Sequence, residues 1–188
     1  MTGGETPQGH AGRGAGTRGR LLLVRHAKAT PQQSPGPDHD RPLVDRGRRD
    51  AQRLGAYLGQ SGEAARIGLV LCSTATRARG TLEGILPALP PEASVVLSSA
   101  LYPASAIGVL QCLGTIVAAG GSVAVVAHNP GIEDLARLLS DSHGVPAERL
   151  AAGLPTCALV TLDVTGPWDD LRPASAAVTS VVTPGDLR

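Results

Sequence analysis

Residues 122–130 read SVAVVAHNP and contain the clearest strand signal in the 188-residue chain. The run from Ser122 to Ala127 is short, nearly all apolar and rich in valine, which is typical of a strand buried on both faces. A helix signal follows at once, because Pro130 stands at its start, acidic residues follow, and leucines recur at helical spacing up to Ser140. A buried strand that leads directly into a helix predicts a parallel sheet covered by helices.

The same alternation of strand and helix runs along most of the chain. Short apolar runs predict strands, and apolar residues at helical spacing predict the helices between them. The predicted strands cover residues 21–25, 67–72, 94–97, 122–127, 157–164 and 176–182, and the predicted helices cover residues 46–60, 74–86, 104–119 and 130–140. This order predicts an α/β fold whose mostly parallel sheet has helices on both faces.

The composition predicts one folded domain with an aliphatic core. A chain of 188 residues has room for a single α/β domain, and this one contains no Phe, one Trp and two Tyr. Residues 1–19 are polar and rich in Gly, so we expect a disordered tail followed by one domain over residues 20–188. The GxGxxG pattern at residues 14–19 precedes a strand, whereas the dinucleotide-binding pattern follows one, so we assign it no cofactor role.

Charge and cysteine content argue against several classes of protein. The formal net charge of +1 gives no general attraction to nucleic acids or anionic membranes, so neither is an expected partner. Cys72, Cys112 and Cys157 are far apart and form no CxxC pair, which argues against a zinc site or a disulfide framework. No apolar run is long enough for a signal-peptide core or a membrane span. We therefore expect three buried thiols in a cytoplasmic protein.

Polar residues that suit a phosphate follow three of the predicted strands. Arg25 and His26 end the first strand, Ser73 and Arg77 follow the second, and His128 follows the valine-rich strand. Because the carboxyl ends of parallel strands share one edge of a sheet, these side chains are expected to converge there. Arginine binds phosphate oxygens through its fork of N–H groups, and a neutral imidazole can attack phosphorus.

Each of these residues also has an ordinary structural interpretation. A single His after a strand is more often structural than catalytic, and an Arg in a helix, such as Arg77 or Arg79, is usually solvated or ion-paired. Their joint placement at three strand ends favours a function instead. Other nucleophiles fail on spacing, since Cys72 has no Arg six positions later and Ser61 lacks the second Gly of a GxSxG turn. We expect no role for the histidines of the tail and loops, which are His10, His39 and His143.

The sequence LLLVRHAKAT at residues 21–30 resembles the RHG signature of the histidine phosphatase superfamily, in the branch that contains the phosphoglycerate mutases. Ala27 stands in place of the usual Gly, and the resulting RHA sequence resembles that of the small bacterial SixA-type phosphohistidine phosphatases. The resemblance covers about residues 20–165. Its other segments are DRPL at 40–43 with RG at 46–47, STATRA at 73–78 with Thr81 and Glu83, VVAHNP at 125–130, and LPTCA at 154–158.

This resemblance implies a fold and a set of roles. The fold is a phosphoglycerate mutase-like, three-layer α/β/α sandwich with one antiparallel strand, here the strand at 157–164. His26 would be the nucleophile that becomes phosphorylated, and Arg25, Arg77 and His128 would hold the phosphoryl oxygens. Neither a metal ion nor an organic cofactor is implied. The other side chains expected to contact the substrate are Arg41, Ser73 and Asn129.

One departure from the family concerns the proton donor for the leaving group. Mutase-like members carry a Glu between the second helix and the strand before the second histidine, but no Asp or Glu occurs from Ala93 to Ile132. An alkoxide leaving group needs a proton in the transition state, whereas the imidazole of phosphohistidine is easier to expel. We therefore predict a phosphatase that acts on protein phosphohistidine. The alternatives are a small-molecule phosphomonoesterase that draws a proton from Tyr102, Asp38 or Glu133, and a phospho-ligand binding module without turnover.

Overall fold

A computed structural model describes residues 19–116, 121–141 and 143–187 of the chain. Apart from Gly19, the predicted tail lies outside the described residues, as does the end of the helix predicted for 104–119. The strands are β1 (Gly19–Arg25), β2 (Ile67–Ser73), β3 (Ser94–Ser98), β4 (Ser122–Ala127), β5 (Leu159–Val164) and β6 (Ala176–Val182). The helices are α1 (Asp45–Gln60), α2 (Thr76–Ile85), α3 (Ala106–Ile116), α4 (Gly131–Leu139) and α5 (Val145–Ala151).

The six strands form one sheet in the order β3-β2-β4-β1-β5-β6. β1 pairs in parallel with β4, and β2 pairs in parallel with both β3 and β4. β5 runs antiparallel to its two neighbours, β1 and β6. The predicted α/β fold, with one antiparallel strand late in the chain, is therefore confirmed.

Two apolar cores lie on the two faces of the sheet. Along β1, Leu21 and Leu23 point into one core, while Leu22 and Val24 point into the other, as the pleat of a strand requires. α3, α4 and α5 cover the first core, and α1 and α2 cover the second. This arrangement is the predicted three-layer sandwich, and it is built almost entirely from Leu, Val, Ile and Ala.

Two segments differ from the sequence-based prediction. α5 occupies a stretch for which the sequence predicts no element, because Leu150 is its one buried residue and no apolar periodicity marks it. β5 begins at Leu159, not at Cys157. The reason is local, since Cys157 has a φ of 64°, and a left-handed residue interrupts an extended strand.

Two glycines let helices approach the loops at one edge of the sheet. A Cβ atom on Gly47 would lie 2.1 Å from the carbonyl oxygen of Lys28, so any other residue would push α1 away from the loop after β1. A Cβ atom on Gly131 would lie 2.2 Å from the carbonyl oxygen of Ala104. The glycine therefore allows the start of α4 to pack against the segment before α3. Within the described residues, every helix is too short or too polar to cross a bilayer.

Candidate active site

The carboxyl ends of β1, β2 and β4 lie side by side, because these strands are neighbours and run in the same direction. A cleft of about 650 Å³ opens at this edge of the sheet. Besides two histidines, its lining contains four basic side chains and one carboxylate. The basic residues are Arg25, Lys28, Arg41 and Arg77, and the carboxylate is Asp38. The excess of positive charge in a concave site suits an anionic ligand.

His26 follows β1 at the floor of the cleft, and its hydrogen bonds define its tautomer. Nδ1 lies 2.8 Å from the carbonyl oxygen of Ala27, so it carries the proton and donates it. Nε2 accepts a hydrogen bond from Arg77 Nε at 3.3 Å, so it bears the lone pair. Burial, reinforced by the nearby guanidinium charges, lowers the pKa of His26 to about 4. The ring is therefore neutral at pH 7, with Nε2 unprotonated.

Arg77 is the second residue of α2, and its side chain is only 6% exposed. Besides the bond to His26, Nη1 donates to the carbonyl oxygen of Asp38 at 2.6 Å, and Nη2 donates to Asp38 Oδ2 at 3.0 Å. The guanidinium carbon lies 5.4 Å from the centre of the Tyr102 ring. These contacts hold the guanidinium group in one orientation at the cleft.

Asp38 is the shared anion of this cluster. Its carboxylate accepts hydrogen bonds from Tyr102 Oη at 2.6 Å, from Arg41 Nε at 2.8 Å and from Arg77. The hydrogen bond from Tyr102, together with the two guanidinium groups, holds the pKa of Asp38 well below its usual range. The same bond raises the pKa of Tyr102. Asp38 is therefore ionised at neutral pH and serves as a counterion for the two arginines.

His128 follows β4 and is buried, with its ring centre 5.0 Å from that of His26. Its Nε2 lies 2.9 Å from Ser73 Oγ. Burial, and then the neighbouring His26 and Arg77, lower the pKa of His128 to about 3, so this ring is also neutral near pH 7. Nδ1 of His128 has no hydrogen-bond partner among the described residues. A neutral imidazole with one nitrogen unpaired can contribute a hydrogen bond to a ligand without adding charge.

Arg25 and Asn129 are both tied to the segment that leads into β5. Arg25 Nη1 donates to the carbonyl oxygen of Leu154, and Asn129 Nδ2 donates to the same oxygen at 3.3 Å. Asn129 Nδ2 also donates to Glu133 Oε2 at 2.7 Å. Because both neighbours of Asn129 Nδ2 are acceptors, its amide orientation is determined by its contacts.

The backbone around His26 is fixed from two sides. Thr81 Oγ1 accepts the N–H of Ala27 at 2.9 Å and donates to the carbonyl oxygen of Arg77 at 2.7 Å, so it links the loop after β1 to α2. The N–H of Cys157 donates to the carbonyl oxygen of His26 at 3.1 Å. His26 and Arg77 are thus held by neighbouring peptides as well as by their own side-chain contacts.

The structure brings the predicted site residues together. Of the seven, Ser73 lies behind the cleft and contacts His128, and the others line it, namely Arg25, His26, Arg41, Arg77, His128 and Asn129. Arg79, two positions after Arg77, is exposed. All three cysteines are buried free thiols. No group of three side chains that could hold a metal ion occurs among the described residues.

Sequence reasoning underrates the loop that follows β1. Asp38, which the sequence offers only as an alternative proton donor, lies in the cleft, and Tyr102 contacts it directly. His39, for which we expect no role, makes structural contacts beside this loop, since its Nε2 lies 3.0 Å from Thr74 Oγ1 and its ring packs edge-on against Tyr102 at 5.0 Å. The one local hint is the spacing of Asp38 and Arg41, because a tight turn brings residues three apart into contact. His143 is exposed, and His10 lies outside the described residues.

Comparison with known proteins finds a family model and a relative that matches most of the chain. The family model described as "Histidine phosphatase superfamily (branch 1)" matches residues 21–101. The "Uncharacterized protein Rv1276c" of Mycobacterium tuberculosis is 35% identical over 166 residues, which cover 86% of this chain and 99% of the relative.

Two solved structures share the fold over nearly their whole length. The first is described as "Putative Phosphohistidine Phosphatase SixA" from Nakamurella multipartitia; it is 30% identical, with a TM-score of 0.77 over 89% of this chain and 96% of that one. A "putative phosphohistidine phosphatase SixA" from Agrobacterium tumefaciens is 24% identical, with a TM-score of 0.70 over 89% of this chain and 99% of that one.

Proposed function

This chain belongs to branch 1 of the histidine phosphatase superfamily, and we propose that it dephosphorylates phosphohistidine-bearing proteins through a covalent intermediate on His26. The superfamily and the SixA neighbours support phosphatase activity in general. The choice of nucleophile and of substrate rests on the cleft itself. Neither a metal ion nor an organic cofactor has a part in this proposal.

The observation that carries the proposal is the state of the His26 ring. Its proton is placed on Nδ1 by the carbonyl oxygen of Ala27, and its lone pair on Nε2 is directed toward Arg77. With a pKa of about 4, nearly every molecule holds a neutral imidazole at pH 7. A neutral, correctly oriented imidazole beside guanidinium groups is the arrangement that nucleophilic attack on a phosphoryl dianion requires.

The reaction then has two steps. In the first, the lone pair of His26 Nε2 forms a bond to phosphorus while the bond from phosphorus to the leaving group breaks, and the leaving group departs with that electron pair. In the second, water attacks the phosphorus, the bond to Nε2 breaks, and inorganic phosphate leaves with His26 neutral again. Arg77 Nε loses its acceptor when Nε2 is phosphorylated, so its N–H turns to a phosphoryl oxygen.

The remaining residues of the quartet hold the phosphoryl oxygens. Arg25 and Arg77 supply charged donors, and His128 supplies a neutral one. Ser73 Oγ accepts the N–H of Ala75 at 3.3 Å and lies 2.9 Å from His128 Nε2, so it orients the His128 ring at the cleft. Arg41 and Asn129 line the cleft beside the phosphoryl-binding residues, and we assign them contacts with the substrate.

The substrate preference follows from the absence of a free acid among the residues that line the cleft. Asp38 is the only carboxylate there, and it is held as an anion by Tyr102 and two arginines. Tyr102 already donates its proton to Asp38, and its pKa is raised. Glu133 accepts hydrogen bonds through both oxygens and lies outside the residues that line the cleft. The imidazole of phosphohistidine departs as a neutral molecule when its other ring nitrogen carries a proton from solvent, so it needs no acid on the enzyme, whereas an alkoxide does.

A comparison of leaving groups tests the proposal. The kcat/KM of the enzyme for a phosphohistidine protein, a phosphoramidate and nitrophenyl phosphate is expected to exceed that for glycerol phosphate by about 10² or more. Burst-phase measurements accompany the comparison, so that a slow hydrolysis of phospho-His26 cannot mask differences in the first step. A fast burst with glycerol phosphate would instead indicate a small-molecule phosphomonoesterase, and binding without turnover of any substrate would indicate a binding module.

We also propose that the protein acts in the cytoplasm. Its three cysteines are buried, unpaired thiols, and burial raises the pKa of Cys72 and of Cys157 to about 12. Such thiols are inert small apolar groups, as expected in a reducing compartment.

A further inference from the structure

Glu133 has no part in the chemistry described above, yet both of its carboxylate oxygens are engaged next to the site. It lies in the first turn of α4, and its side chain is only 17% exposed. Oε2 accepts hydrogen bonds from Asn129 Nδ2 at 2.7 Å and from the N–H of Leu154 at 3.1 Å. Oε1 pairs with Arg137 Nη2 at 2.6 Å.

The peptide groups on the two sides of Leu154 connect Glu133 to Arg25. The N–H of Leu154 donates to Glu133, and its carbonyl oxygen accepts from both Arg25 Nη1 and Asn129 Nδ2. Leu154 lies between α5 and β5, outside any regular element, and follows Gly153, whose φ is 95°. The backbone hydrogen bonds of a helix or strand therefore do not orient this peptide. The Leu154 side chain packs in the core, and Glu133 accepts the hydrogen bond from its N–H.

The same carboxylate, which is ion-paired with Arg137, also acts on Arg25 through its charge. Burial lowers the pKa of Arg25, which means that its charged form is partly desolvated, and Glu133 opposes this shift. Arg77, by comparison, has Asp38 as a direct ion-pair partner. No carboxylate within the described part of the chain is in salt-bridge contact with Arg25, which therefore depends on a carboxylate one peptide away.

We infer that Glu133 is a positioning residue, which holds Leu154 so that the guanidinium group of Arg25 stays oriented toward the phosphoryl site. This inference rests on the proposed function, because it assumes that Arg25 binds the phosphoryl group. Glu133 acts through the Leu154 peptide and through Asn129, and it does not exchange a proton with the substrate. A shift of about 1 Å in a group that binds the transition state can reduce the rate about 10²-fold.

The full chain offers a matched control for the test. Glu133→Ala removes the anchor, and Glu133→Gln keeps an acceptor oxygen but removes the charge. Asp134→Ala makes the same change of charge in the same helical turn, at an exposed residue. We expect Glu133→Ala to lose between about tenfold and 10²-fold in kcat/KM for nitrophenyl phosphate. We expect Glu133→Gln to lose less and Asp134→Ala to stay within about twofold, and thermal unfolding shows that each variant is folded.

A double-mutant cycle with Arg25→Ala separates positioning from a general structural role. If Glu133 acts through Arg25, Glu133→Ala adds less than about twofold to the loss in the Arg25→Ala background, for kcat/KM and for the inhibition constant of inorganic phosphate alike. Fully additive losses, or a Glu133→Ala variant with normal kinetics beside a crippled Arg25→Ala variant, would overturn the inference alone. An Arg25→Ala variant with normal kinetics would remove Arg25 from the phosphoryl site and so contradict the proposed function as well.

Discussion

Replacing Arg77 with Lys tests whether the shape of this cation matters as well as its charge. The wild-type guanidinium group makes three separate hydrogen bonds, to His26 Nε2 at 3.3 Å, to the Asp38 carbonyl oxygen at 2.6 Å and to Asp38 Oδ2 at 3.0 Å. Lysine carries its three N–H donors on a single nitrogen, so it cannot span the separate positions that the planar guanidinium fork reaches at once. The pKa of His26 is lowered mainly by burial and then by nearby positive charge, and the substitution preserves that charge, so the ring of His26 is expected to stay neutral.

The expected loss follows from the contacts that one nitrogen cannot make. A hydrogen bond to a charged partner contributes about 1.5–3 kcal/mol, so losing the bond from Nε to the phosphoryl group together with one of the two bonds to Asp38 that orient the cation costs about 3–6 kcal/mol. Since about 1.4 kcal/mol corresponds to a factor of ten, we expect kcat/KM to fall by about 10² to 10⁴.

Steady-state kinetics with nitrophenyl phosphate measure this loss, and Arg79→Lys is the control. Arg79 is exposed and lies two positions along the same helix, so its substitution is expected to leave kcat/KM within about twofold. An Arg77→Lys variant that keeps more than about a third of the wild-type kcat/KM would refute the reasoning, because charge alone would then suffice at this position.

Four further predictions concern the proposed nucleophile, the two histidine pKa values, the pH dependence of stability and the metal requirement. His26→Ala is expected to abolish turnover, and brief incubation with radiolabelled substrate followed by alkaline denaturation leaves acid-labile phosphate on the wild type only; label on the variant would make His128 the first suspect. Because the pKa of His26 is about 4 and that of His128 about 3, their ring resonances are expected to titrate below pH 5, and not near 6.5. In the unfolded chain these histidines bind protons from about pH 6.5 downward, whereas in the folded protein they stay neutral. The free energy of unfolding is therefore expected to fall as the pH is lowered from about 6.5 to 4. Denaturant titrations at pH 7 and pH 5 measure this difference. EDTA is expected to leave activity unchanged, and activity that vanishes and returns with zinc, magnesium or manganese would contradict the assignment.

The main elements and the convergence of the quartet could be predicted from the sequence for one physical reason. Buried parallel strands are continuous apolar runs, and their carboxyl ends share an edge, so residues that follow such runs meet in space. His26, Arg77 and His128 each follow a strand in this way, although 102 positions separate the first from the last. Their predicted proximity is visible in the structure as a 5.0 Å contact between the two histidine rings.

The parts that could not be predicted depend on contacts between loops. Asp38, His39 and Tyr102 lie in segments with no periodic pattern, and local sequence carries no sign that Tyr102 donates a hydrogen bond to Asp38 at 2.6 Å. The role of Leu154 is invisible for a related reason, since its contacts to Arg25 and Glu133 involve its backbone and are independent of its side chain. α5 is missed because a helix with one buried residue leaves no periodic apolar signal.

The Asp38 cluster connects the assembly of the site to its chemistry. Arg41 and Arg77 both reach one carboxylate, and without that anion two partly buried guanidinium groups would repel each other across the cleft. An aspartate that accepts hydrogen bonds from two guanidinium groups and a tyrosine is ionised at neutral pH, so it has no proton to donate to a departing alkoxide. The ion pairs that hold Arg41 and Arg77 close together therefore also keep Asp38 ionised, so it is not available as a proton donor. This arrangement supports the proposal that the substrate is a phosphoryl donor whose leaving group takes no proton from the enzyme, such as phosphohistidine.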